Sequence, residues 1–144
     1  NQYNMLKKKR FTLLILFFLI TGFFAEGQIT LKVVIKNLES NEGTVLLDFR
    51  DVKDQQLKGF TANISDNQSV ITISGLKPGK YSFKYFHDAN NNKELDTNWI
   101  GVPTEGFGFS NNAKVRFGPP AFEDTVFELK KDITLECNAI YLKL

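Results

Sequence analysis

Gly75-Leu76-Lys77-Pro78-Gly79-Lys80-Tyr81-Ser82-Phe83-Lys84-Tyr85 is the stretch that decides the fold. Its first half is turn chemistry, with proline fixing φ and a glycine on either side. Its second half alternates, with Tyr81, Phe83 and Tyr85 on one face and Ser82 and Lys84 on the other. Period-2 alternation with aromatic content is the mark of a half-buried strand. A tyrosine just after a tight turn can bury its ring and return its hydroxyl to the turn backbone, the tyrosine corner of β-sandwiches. Tyr81 is therefore expected to be structural.

The same period recurs on both sides. Ile29, Leu31, Val33 and Ile35 alternate with Thr30, Lys32 and Lys36; Val45, Leu47 and Phe49 alternate with Thr44, Asp48 and Arg50. Ile71 and Ile73 form a shorter run, and Ile133, Leu135 and Cys137 another. The apolar phase then slips to Ile140, Leu142 and Leu144, which predicts a bulge near Asn138-Ala139. Glu39-Ser40-Asn41-Glu42-Gly43 reads as a hairpin loop, and Ser65-Asp66-Asn67-Gln68 as a further turn. Only Pro119 to Asp124 suggests a helical turn, with proline at its start and acids behind. The sum is an all-β domain of about seven strands, expected as an antiparallel sandwich of immunoglobulin-like or transthyretin-like topology. One long aromatic and glycine-rich connection interrupts it, from Trp99 to Asp124.

Upstream, Met5-Leu6-Lys7-Lys8-Lys9-Arg10 precedes an apolar run from Phe11 to Ala25, and Ala25-Glu26-Gly27 offers small residues for cleavage. Residues 1–27 read as a secretory signal peptide, with Asn1 to Asn4 an upstream extension, and residues 28–144 as a single domain. The run is shorter than the roughly 20 residues that span a bilayer, so a retained anchor is the weaker reading. The expected location is secreted or periplasmic, with membrane contact only during export. No cysteine stands directly after the cleavage site, which sets aside a lipoprotein.

The whole chain has 18 Lys and Arg against 16 Asp and Glu. Residues 1–27 hold four of the bases and one acid, which leaves 14 bases and 15 acids. The apparent basicity belongs to the export signal, and nucleic acid is not expected as a partner. One cysteine excludes an internal disulfide.

Chemistry concentrates in Asp88-Ala89-Asn90-Asn91-Asn92-Lys93-Glu94-Leu95-Asp96. Oxygen-bearing side chains fall on every second residue, with a carboxylate ninth, as in the opening of a calcium loop. Asp88, Asn90, Asn92 and Asp96 would give side-chain oxygens, and Glu94 a backbone carbonyl. A further anion would come from Glu105, Glu123 or Asp124. Lys93 stands where an EF-hand has glycine, and Trp99 where it has glutamate, so this is a calcium-loop fragment on a β-scaffold. The alternative is an ion-free loop in which Asn and Asp cap their own backbone. Trp99, Phe107 and Phe109 are either a platform for a sugar or peptide or a cover folded over one end of the domain.

Tyr85-Phe86-His87-Asp88, Leu95-Asp96-Thr97-Asn98, Gly101-Val102-Pro103, Glu105 through Asn112 and Gly118 through Asp124 together resemble an uncharacterised bacterial exported family, domain of unknown function 2141. The resemblance covers most of residues 28–144 and implies a signal-bearing β-sandwich without an established activity. Members often read Asp-x-Asn-Gly-Asn-Gly-Lys-Leu-Asp across the loop; this chain has Asn91 and Lys93 in place of those glycines. Left-handed backbone suits asparagine tolerably and lysine less.

An enzyme is not expected. His87, the single histidine, continues the inward phase of Tyr81, Phe83 and Tyr85, and Cys137 lies at an apolar strand position. Asp88 and Asp96 as a metal-dependent hydrolase pair is the weaker alternative. The expectation is a non-enzymatic domain stabilised by calcium, serving adhesion or ligand binding; the alternative is a carbohydrate- or peptide-binding module that requires no metal.

Overall fold

Eight strands carry the computed structural model, which describes residues 27–142. They are β1 (Ile29–Lys36), β2 (Thr44–Asp51), β3 (Gln56–Ser65), β4 (Gln68–Leu76), β5 (Gly79–Asp88), β6 (Phe107–Phe109), β7 (Phe127–Leu129) and β8 (Ile133–Asn138). The expected signal peptide lies outside the described residues except for Gly27. The expected helical turn is present at Phe122–Thr125.

The alternation read from the sequence sets the core. Leu31, Val33 and Ile35 of β1, Val45, Leu47 and Phe49 of β2, Ile71 and Ile73 of β4, and Phe83 and Tyr85 of β5 all point inward and are buried. Tyr81 stacks on Phe49 at 5.0 Å between ring centroids, and its hydroxyl donates to the Lys77 carbonyl at 2.9 Å. The corner expected at this tyrosine is present.

The all-β class holds, but the strands do not separate into two sheets. They form one hydrogen-bonded path in the order β6-β5-β2-β3-β4-β1-β8, with β7 also on β5, nearly closed into a barrel. The device that joins the two halves is β3. Its first part pairs with β2 from Gln56 to Asn63, and its last residues, Ile64 and Ser65, pair with Ser69 and Gln68 of β4. Asp66 and Asn67 both have positive φ, as the tight hairpin turn between β3 and β4 requires. At the far end, the phase slip marks a change of partner. β8 stops at Asn138; Ala139 donates to Lys36 of β1, while Ile140 exchanges two backbone bonds with Phe107 of β6. That exchange brings the two ends of the path together, and closure leaves little free strand edge.

Two further expectations are corrected. β1 pairs with β8 in parallel, from Leu31↔Ile133 to Lys36↔Asn138, although all other strand pairs are antiparallel. Glu39–Gly43 is not a hairpin, because β1 and β2 are not neighbours; the segment crosses the barrel end. Leu38 plugs that end, and Asn67 ties it down with its side-chain amide on the Leu38 carbonyl at 2.7 Å. Gly43 (φ 72) passes so close to β5 that a Cβ would sit 2.0 Å from the Asp88 carbonyl oxygen. Only glycine fits there.

Candidate functional site

β5 delivers Asp88 to the barrel end, opposite Thr44 of β2 and beneath Gly43. Its side chain is almost wholly buried, with 1% relative exposure. A buried carboxylate needs donors, and the following turn supplies them. Oδ1 accepts the Asn92 N–H at 3.0 Å and Oδ2 the Lys93 N–H at 2.9 Å. Asn91 (φ 59) and Lys93 (φ 66) take the left-handed backbone that points both groups inward.

The asparagines work in two directions. Asn90 Oδ1 accepts from the Asn92 N–H, and Asn92 Oδ1 from the Glu94 N–H at 2.8 Å. Their Nδ2 groups both donate to the Asp96 carboxylate, at 2.6 Å from Asn90 and 2.9 Å from Asn92. Glu105 clamps the loop from outside. Its Oε1 accepts the Ala89 N–H at 2.9 Å and its Oε2 the Asp96 N–H at 3.1 Å, at 9% exposure. Thr104 donates twice to the Asp96 carbonyl, and a Thr97↔Pro103 bridge folds the intervening segment back so that Glu105 can reach.

The structure thus brings together Asp88, Asn90, Asn92 and Asp96, and adds Glu105. Glu94 enters only through its N–H, and its side chain is exposed. Glu123 and Asp124 lie on the helical turn beside Asn111, outside the loop's hydrogen-bond network. Among the described residues, no lysine or arginine forms an ion pair with Asp88, Asp96 or Glu105. Nor, among them, does any group of three or more His, Cys, Asp or Glu side chains gather tightly enough to hold one ion. The oxygens available to an ion are those of Asp88, Asp96 and Glu105 and the Oδ1 atoms of Asn90 and Asn92, a hard all-oxygen set.

The aromatics separate. Trp99 stands in solvent at 93% exposure, whereas Phe107 is buried at 8% and packs edge-on against half-buried Phe109 at 6.2 Å. Phe107 and Phe109 line a common cleft that Trp99 does not reach.

His87 and Cys137 are both buried. His87 Nε2 lies 2.8 Å from the Glu42 carbonyl and so carries the donating hydrogen; Nδ1 then accepts from the Tyr141 hydroxyl at 2.7 Å. The same hydroxyl accepts the Glu39 N–H, which completes the closure of this end. Burial pushes the Tyr141 hydroxyl above its ordinary pKa. It pushes the Cys137 thiol up to about 11, away from thiolate chemistry.

These features define an all-β, nearly closed barrel with an oxygen-rich loop at one end. Residues 33–136 match the model of a family described as an uncharacterized protein conserved in bacteria (DUF2141), and the chain belongs to that family. No curated protein matches it.

Proposed function

We propose that the chain is an exported, secreted or periplasmic, non-enzymatic β-module for adhesion or ligand binding, whose Asp88–Asp96 loop binds calcium and so fixes one end of the barrel. The observation that carries the reading is the oxygen-rich loop, in which Asp88, Asp96 and Glu105 are linked through neutral N–H donors and, among the described residues, none of the three forms an ion pair with a lysine or arginine. A divalent cation drawn to these oxygens would offset negative charge that the loop meets only with neutral donors. The absence of catalysis is supported by the commitment of both nitrogens of His87 to structure and by the burial of Cys137.

Scanning calorimetry in calcium and in chelator tests the ion. An extracellular-type site with Kd near 10⁻⁴ M, in millimolar calcium, stabilises the folded state by about 1.4 kcal/mol. The melting temperature should rise by several degrees on adding calcium. Asp96→Asn, which removes a charge and keeps an acceptor for the amides, should blunt the rise. Identical melting in calcium and chelator would remove the proposal.

A further inference from the structure

An antiparallel sheet commonly turns one face to the core and a polar one to water. The outward face of β2, β5 and β6 departs from this. Leu46, Phe86, Phe107 and Phe109 lie on it, and with Leu95 of the loop they bound an apolar cleft of about 440 Å³.

The same molecule carries an apolar knob. Residues 98–102 form a tight hairpin, in which the Asn98 N–H donates to the Val102 carbonyl at 2.8 Å and the Gly101 N–H to the Asn98 carbonyl at 2.9 Å. Gly101 (φ 83) takes the left-handed place that three-residue hairpin loops give to glycine. The Asn98 side chain braces the tip, its Oδ1 accepting from the N–H groups of Ile100 and Val102 at 3.1 and 3.0 Å. The tip itself is Trp99, almost wholly in solvent, and Ile100, more than half exposed. Large apolar groups held in water by a braced turn mark a contact surface.

We propose that knob and cleft form one interface, a two-fold dimer in which each copy seats Trp99 and Ile100 in the other's cleft. Position favours it. Leu95 on the cleft wall stands four residues before Trp99, at most about 14 Å of chain. Knob and hole are therefore neighbours, and one two-fold axis satisfies a patch that carries both. Charge favours it as well. Glu94 beside the knob is exposed and, among the described residues, in no ion pair. Lys84 on the cleft wall is exposed and reaches only Asp48, at 3.9 Å. Two knobs and the walls they cover would bury on the order of 1,200 Å², the low end for a specific interface. The braced hairpin loses little freedom on docking, which helps an interface of that size. This dimer goes beyond the calcium reading and uses none of the loop's oxygens, so it is tested in chelator and the two fail separately.

Trp99 is the only tryptophan in the chain, so its fluorescence reports the knob directly. From micromolar to millimolar protein, sedimentation should show monomer passing to dimer, and the emission should move to shorter wavelength over the same range. Trp99→Ala removes a side chain that stands in solvent, so it should keep the parent's melting temperature. Its dimerisation should weaken by about a hundredfold or more, because both anchors are lost. Gly59→Leu fills the cleft from β3, where a Cβ meets only Gln56 Nε2 at 3.5 Å. It should fold, remain a monomer and leave the emission unshifted. A parent that is monomeric at millimolar concentration, open-ended assemblies in place of a dimer, or either folded variant dimerising like the parent overturns the proposal. So does an emission shift that appears only on adding phosphatidylcholine vesicles, which would assign Trp99 to a lipid surface.

Discussion

Glu105→Gln isolates the clamp on the loop without reference to any ion. In the native protein both oxygens of Glu105 accept main-chain N–H groups, from Ala89 at the start of the loop and from Asp96 at its end. Glutamine keeps one oxygen and turns an amide donor against the other N–H. The loss is one hydrogen bond to a charged acceptor, about 1.5–3 kcal/mol, plus the weakening of the second from charged to neutral. Removing one of the loop's negative charges returns part of this, of order 1 kcal/mol. The net expectation is about 2 kcal/mol of destabilisation. For a domain of this size that lowers the melting temperature by roughly 8 °C. Urea denaturation and calorimetry in chelator measure it, and hydrogen exchange should show lost protection at Ala89 and Asp96. Glu123→Gln, exposed on the helical turn, is the control and should stay within about 0.5 kcal/mol of the parent. A Glu105→Gln protein as stable as that control would refute the clamp.

Alkaline stability should report Cys137: burial holds the thiol neutral up to about pH 11, against an ordinary value near 9 that the unfolded chain keeps, so stability is intact below pH 9 and is lost as pH rises through 11. The loss amounts to roughly 2–3 kcal/mol, and melting curves from pH 8 to 11 should show Cys137→Ala holding its own stability about one pH unit further, until the tyrosines titrate. Gly108→Ala should be severe, since the new Cβ would lie 2.2 Å from the Tyr85 hydroxyl oxygen and displace it from the Asn138 carbonyl. Overpacking and the lost hydrogen bond together predict about 3 kcal/mol, and a double-mutant cycle with Tyr85→Leu should show that most of this vanishes once the ring is gone.

The five strands with clean alternation were legible because one face of each meets the core and the other meets water. β3 was not, because Lys58 and Gly59 interrupt its pattern and its inward residues, Phe60, Ala62 and Ile64, are only half-buried. β6 and β7 are three residues each, too short for any period to show. Without β3 as the bridge, the remaining strands read naturally as two sheets. The parallel β1–β8 pair is likewise invisible locally, since parallel and antiparallel partners present the same alternating face. Even so, the phase slip after Cys137 carried real information: it marks where the chain leaves β1 to reach Phe107.

The site was legible in its first nine residues because spacing alone puts those oxygens on one side of a turn. Glu105 could be named only as one of three acids, since its place depends on the Thr97↔Pro103 bridge that folds the chain back. Lys93 carries the deeper lesson. Its left-handed backbone costs about 1 kcal/mol relative to glycine, yet the turn keeps it, because Asp88 grips the N–H groups of both Asn92 and Lys93. The carboxylate therefore sets the loop's shape before any ion is considered. Strain of this kind persists only where the surroundings over-determine the conformation. Here three elements do so at once: β5 through Asp88, the β1–β2 crossing through Gly43, and the returning chain through Glu105.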